Sequence, residues 1–154
     1  LIVGTQGRDA IATLVERRSR MVLLVRLPAT DSPTVTQAIN TALAALPPAL
    51  VGSLTWDQGT EMARYLSVTA ALGIPVYFCD PHAPWQPGSN ENTNGLLRQY
   101  FPKGSNLSVH DAYYLAGVAD ELNHRPKVVL DDRSPLEYIT DELGSEVSNR
   151  CVVG

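Results

Sequence analysis

Three short runs of apolar and β-branched residues open the chain, Leu1 to Gly4, Ala10 to Glu16 and Met21 to Leu27, and each reads as a β-strand. The basic turn Arg17, Arg18, Ser19, Arg20 joins the second to the third, which makes a meander. From Pro33 the period changes. Val35, Ala38, Ile39, Ala42, Leu43 and Leu46 share one face of a helix, and Pro47 with Pro48 ends it. A strand over Ser53 to Trp56 follows and stops at Asp57. Gly59 and Thr60 open a second helix with Met62, Tyr65, Leu66 and Thr69 on one face, and Gly73 stands where a C-cap belongs. A fifth strand, Ile74 to Cys79, ends at Asp80 and Pro81.

The Pro- and Gly-rich stretch His82 to Ser89 reads as a loop and Asn90 to Tyr100 as a helix. Ser108 with Asp111 resembles a capping box before a helix bearing Leu115, Val118 and Leu122. Ser134 and Pro135 look like N-cap and first residue of a last short helix through Leu143. The order βββαβαβααα, without repeats or linkers, predicts one mixed α/β domain over residues 1–154. A meander followed by alternating strands and helices is the order of the ribonuclease H-like fold, with a mixed central sheet of about five strands flanked by helices.

Composition changes this picture little. The 154 residues carry 12 Lys plus Arg against 16 Asp plus Glu, a formal charge of −4, so any DNA partner must be argued from a site and not from bulk charge. Cys79 and Cys151 are far apart and form no CxxC pair, which argues for two reduced thiols and against a thiolate zinc site. No apolar run approaches the roughly 18 residues of a membrane span. The expectation is a soluble, intracellular protein that makes no use of a membrane.

Two carboxylates hold complementary places. Asp57 ends a central strand in SLTWDQGTEM, and Glu91 starts a helix in WQPGSNENTNGLLRQYFPKG. Sites of open α/β sheets form beyond the carboxyl ends of strands, where the first turn of a helix can deliver a second carboxylate. Such hard oxygen ligands suit Mg²⁺ or Mn²⁺. Each residue also has a plain structural reading: a strand-end Asp forms turns, and an acidic first-turn residue suits the helix dipole.

The stretches TLVERRSRMVLLVRLP, SLTWDQGTEM, GIPVYFCDPHAPWQPGSNENTNGLLRQYFPKG and ELNHRP resemble the catalytic core of insertion sequence 30 family transposases over roughly Leu1 to Ile139. The resemblance implies a bacterial DDE recombinase, related to retroviral integrases, that uses divalent metal to cleave DNA at element ends and join it to target DNA. It makes Asp57 the second carboxylate and Glu91 the third. It places the first, an Asp, immediately before Leu1, so the chain is expected to be part of a longer transposase, inactive alone, whose first strand and DNA-binding segment extend upstream. It further implies double-stranded DNA as partner, a homo-oligomer, and a cytoplasmic, nucleoid-associated location. Asp9, well past the middle of strand one, is a poor substitute, and Asp80 is a rival strand-end carboxylate.

Candidate DNA contacts are Trp85, whose flat face suits a base, and Asn90, Asn94, Arg98, Lys103 and Arg125. Asn94, Gly95 and Arg98 share the Glu91 face, while Leu96, Leu97, Tyr100 and Phe101 point elsewhere and read as core. Packing is an equal role for Trp85. Pro87 stands where relatives usually carry Arg, and VVLDDRSP adds Asp131 and Asp132 where little acidity is expected. A non-catalytic remnant serving as a DNA-binding or oligomerisation module is the alternative, and a nuclease that cuts without joining is a third reading.

Overall fold

The computed structural model describes residues 1–7, 9–57, 59–80, 88–144 and 151–153. Its meander consists of β1 (Ile2–Val3), β2 (Ala10–Glu16) and β3 (Val22–Leu27), antiparallel throughout, with Ile2 opposite Ile11 and Val15 opposite Val22. Every residue of β2 is buried because helices cover both faces of the sheet. Alternation sends Ala10, Ala12 and Leu14 to one face and Ile11 to the other. The β2–β3 turn closes around a buried carboxylate: Glu16 accepts from the Arg18 N–H (3.1 Å), the Ser19 N–H (2.7 Å) and the Ser19 hydroxyl (2.6 Å).

On the first face lies α1 (Ser32–Ala44), capped by Asp31 Oδ1, which accepts from the Thr34 N–H at 3.1 Å. Its Val35, Ile39 and Leu43 pack with Leu54 and Trp56 of β4 (Ser53–Trp56). The expected second helix is divided into a 3-10 turn, Thr60–Met62, and α2 (Tyr65–Leu72), closed by Gly73 in the left-handed region at φ 67°. Met62 and Val68 enter the core, whereas Leu66, expected on the packed face, is 68% exposed. Splitting the helix rotates the second part, and Val68 takes the inward place. β5 (Val76–Phe78) is shorter than expected because Pro75 has no N–H to contribute, although its carbonyl accepts from the Leu54 N–H at 3.0 Å.

The opposite face carries α3 (Gly88–Leu97) and α4 (Ala112–His124), whose Leu97, Leu115, Val118 and Leu122 form a second core with Ile2, Ile11 and Phe101. The N-cap of α4 is Asp111 itself, accepting from the Tyr114 N–H at 2.8 Å. Ser108 instead lies in a 3-10 turn and bonds Asn106, so the expected Ser108 capping box is not formed. The Asn123 side chain of α4 bonds both backbone groups of Val22, at 2.8 and 2.9 Å, and so closes the outer edge of β3. α5 (Pro135–Leu143) starts at the expected Ser134, with Glu137 completing a capping box.

A sixth strand, β6 (Cys151–Val153), was not expected from the sequence. It runs antiparallel to β2 (Val15 opposite Val153) and parallel to β4 (Thr55 opposite Val153), joining the meander to the parallel β4–β5 pair. Among the described residues the sheet thus has six strands where about five were expected. Because β3 holds one edge of β2 along its length, β1 and β6 share the other edge, β1 opposite Ala10 and Ile11 and β6 opposite Val15 and Glu16. No described strand faces the stretch Ala12 to Leu14 between them. Among the described residues, no helix is long and apolar enough to cross a membrane.

Candidate active site

The edge of β2 away from β3 organises the site. Glu16 N–H donates to Met21 O at 2.8 Å, so the residues in phase with Glu16 turn their backbone groups toward β3 and Thr13 turns its own toward that other edge. The Asn90 side chain of α3 covers part of it: Nδ2 donates to Thr13 O at 3.2 Å. Asn90 is 4% exposed and Thr13 1%. Asn90 Oδ1, Asn94 Oδ1 and Thr13 Oγ1 are buried acceptors for which no hydrogen bond is found among the described residues. This bond fixes the first turn of α3 against the sheet, with Glu91 next in sequence and exposed.

Strand register brings Asp57 to the same level. Thr55 is level with Val153, which is level with Val15. Since β4 and β2 run in opposite directions, two further residues on β4 bring Asp57 level with Thr13. Two strand spacings, about 10 Å, separate the backbones. Leu54 and Trp56 point into the α1–α2 core, so alternation turns Thr55 and Asp57 to the face covered by α3. Asp57 is exposed, and its Oδ1 accepts from the Gly59 N–H at 3.2 Å, the turn-forming role open to any strand-end Asp. The structure therefore brings Asp57 and the Glu91 turn to one level and one face of the sheet.

The other candidates separate. Asp9 lies just before β2, about 13 Å along the chain from Thr13, with its backbone oxygen taken by the Gly4 N–H at 2.9 Å. Asp80 is exposed beyond β5, next to a buried Cys79. Asn90 is buried against the sheet with its Nδ2 on Thr13 O, against the expectation that it contacts DNA. Asn94, Gly95 and Arg98 do follow Glu91 along one flank, half-buried, exposed and half-buried in turn. Arg98 Nη1 donates to Phe101 O at 3.5 Å. Leu97 and Phe101 are fully buried, while Leu96 and Tyr100 are half-buried.

Lys103 is exposed after α3. Arg125 pairs with Glu121 at 3.1 Å, and the same carboxylate accepts from the Tyr100 hydroxyl at 2.5 Å, a bond that raises the phenol above its ordinary value. Trp85, His82 and Pro87 lie outside the described residues. Among the described residues no three His, Cys, Asp or Glu side chains gather as a metal site. What sequence reasoning missed is the sheet-directed role of Asn90 and Asn123; both are amides beside helix turns, and only the pairing of strands shows which backbone groups they meet.

Comparison with known proteins gives the family. The Integrase core domain family model matches residues 2–84, just over half of the chain. The transposase for insertion sequence element IS1086 of Cupriavidus metallidurans is 48% identical over 145 residues, 94% of this chain and 43% of that protein. The transposase InsI for insertion sequence element IS30A of Escherichia coli is 50% identical over 139 residues, 90% of this chain and 36% of that one. A putative integrase, ORF3 of Spiroplasma virus SpV1-R8A2 B, is 25% identical over 145 residues, 92% of this chain and 44% of that one. The chain thus spans less than half the length of these curated relatives. With a family model matched across the meander, β4 and β5, and 50% of the 139 residues aligned with the IS30A transposase identical to it, the chain belongs to the integrase core domain family.

Proposed function

We propose that this chain is the catalytic core of a DDE transposase with a ribonuclease H-like arrangement, cleaving DNA at element ends and joining the new 3′-hydroxyl to target DNA. The observation that carries this reading is the common level and common sheet face of Asp57 and the Glu91 turn. Two exposed carboxylates present hard oxygen donors of the kind Mg²⁺ or Mn²⁺ takes, and Mg²⁺ uses one or two carboxylates together with water and phosphate oxygens. Asp57 and Glu91 would hold such an ion. When bound, it supplies activation of the attacking oxygen and charge stabilisation of the leaving one.

The protein's own part is positioning. Asn90 ties the Glu91 turn to β2, so the carboxylate projects from a braced helix and not from a loop. Gly95, one turn on, leaves open space: a Cβ there would meet nothing within 4 Å, and a phosphate can approach the bare backbone. Asn94 and Arg98 on the same flank supply an amide and a guanidinium for phosphate oxygens. The resemblance implies the first carboxylate, an Asp, immediately before Leu1. The working assembly in this reading is a homo-oligomer on double-stranded DNA.

The test is strand joining by the transposase that carries this core. Glu91→Gln and Asp57→Asn abolish joining of labelled element ends while end binding persists; joining retained by either variant removes that residue from the mechanism. Cleavage without joining by the unaltered protein makes it a nuclease. A non-catalytic DNA-binding or oligomerisation module would lack joining and also lack any dependence on Glu91.

A further inference from the structure

On the other side of α3 from Glu91 lies a cavity of about 460 Å³, and the described residues lining it include Arg17, Arg20, Asn92, Thr93 and Lys127. At about 100° per residue, Asn92 falls on the opposite side of the helix's outward line from Glu91. Three cations from two separate loops meet here in a chain of net charge −4. Their placement is built in. The turn is held by the three hydrogen bonds to Glu16, Arg20 adopts the left-handed region at φ 61°, and Arg18 leaves the group to pair with Glu142 at 3.3 Å. The loop after α4 is held by backbone bonds from Asp132 N–H to Lys127 O (3.1 Å) and from Lys127 N–H to Arg133 O (3.1 Å).

Lys127 records the local field. Burial first, then the Arg125 and Arg20 guanidiniums, hold its ammonium below its ordinary value. A half-buried ammonium among like charges is a cation whose environment is completed by an anion. The cavity's polar lining offers Asn92 and Thr93 beside the cations, and the N-terminal turns of α3 add their dipole.

We propose that this cavity seats a phosphate of the DNA backbone, so that duplex DNA is held along α3 on the side away from Glu91 as well as at the carboxylates. The inference rests on the reading of DNA as the partner. The charge favours a phosphodiester: three cations line the site, and Val129 is the one large apolar side chain among the described residues that line it.

The experiment measures the affinity of the chain for a fluorescent DNA duplex in EDTA over a range of salt concentrations, so that no metal-dependent step contributes. Each phosphate contact contributes about 0.9 to the slope of log K against log salt. Arg17→Gln, an exposed position, and Lys127→Gln each lower the slope by about that amount and weaken binding. Thermal unfolding at the temperature of the unaltered chain checks each fold, and Arg17→Gln suffices alone if Lys127→Gln does not fold. Unaltered slopes in folded variants overturn the pocket while the DNA reading stands. No binding of DNA by the unaltered chain overturns both. Titration with inorganic phosphate, followed at the Asn92 and Thr93 amides, separates the sources: saturation by phosphate with a DNA slope that ignores Arg17 makes this a small-anion site and overturns the proposal.

Discussion

Replacing Asn90 by Ala tests how the Glu91 turn is held. The substitution removes the Nδ2 donor that meets Thr13 O at 3.2 Å, at a position 4% exposed, on a stretch of β2 that no described strand covers. Leaving a buried carbonyl without its donor costs about 1–3 kcal/mol. Asn90 Oδ1 has no hydrogen-bond partner among the described residues, so its removal returns part of that cost and the net falls at about 1–2 kcal/mol. For a chain of this size the melting temperature drops by roughly 3–6 °C. Activity falls further than stability does, because a misplacement of about 1 Å at a reacting group costs on the order of 100-fold. Differential scanning calorimetry and a strand-joining assay below the melting temperature read the two effects, with exposed Asn92→Ala as the control that leaves stability within about 0.5 kcal/mol. A melting temperature within about 1 °C of the original, below the smallest shift this ΔΔG range allows, refutes the role of the amide.

Other outcomes follow from the same structure. Gly95→Ala, in a helix interior with open space around its Cβ, stabilises the chain by about 0.5–1 kcal/mol in thermal unfolding, yet lowers DNA joining if the bare backbone admits a phosphate; equal activity removes that role. Phe101→Ala, at a fully buried ring between α3 and α4, costs about 3–5 kcal/mol by urea denaturation, and a loss under 1 kcal/mol contradicts the packing described. Ser134→Ala, which breaks the α5 capping box, costs about 1 kcal/mol. The bonds from the Ser134 backbone and side chain hold the Glu137 carboxyl below its ordinary value. That contribution is complete above the unfolded value and is lost as pH falls through the folded one, so Glu137→Gln flattens the acid side of the stability profile.

Elements whose signal is local were legible in the sequence. β2 and β4 lie where their apolar runs end, α1 where its apolar face and flanking prolines put it, and α5 at Ser134 and Pro135. What depends on long-range pairing was not. β6 is three residues whose strand character comes from the slot between β2 and β4. The break before α2 and the exposure of Leu66 come from packing against α1, which no helical wheel contains. At the site, the residue types at Asp57 and Glu91 were visible, but their common level arises from register across three strands. Asn90 read as a DNA contact because a polar residue on a short helix looks solvent-facing; only the carbonyl of Thr13 explains why it turns inward. The cation cavity was hidden for the same reason: Arg17 and Lys127 are 110 residues apart in the chain and adjacent only in the fold.

The most direct test of the account is a crystal structure of the chain with Mn²⁺, located by its anomalous signal. The account predicts an ion on Asp57 with the Glu91 carboxylate within about 8 Å, the reach of two ligand bonds near 2.1 Å and an ion spacing near 4 Å. Mn²⁺ bound elsewhere, or Asp57 and Glu91 directed apart with the metal at saturation, contradicts it.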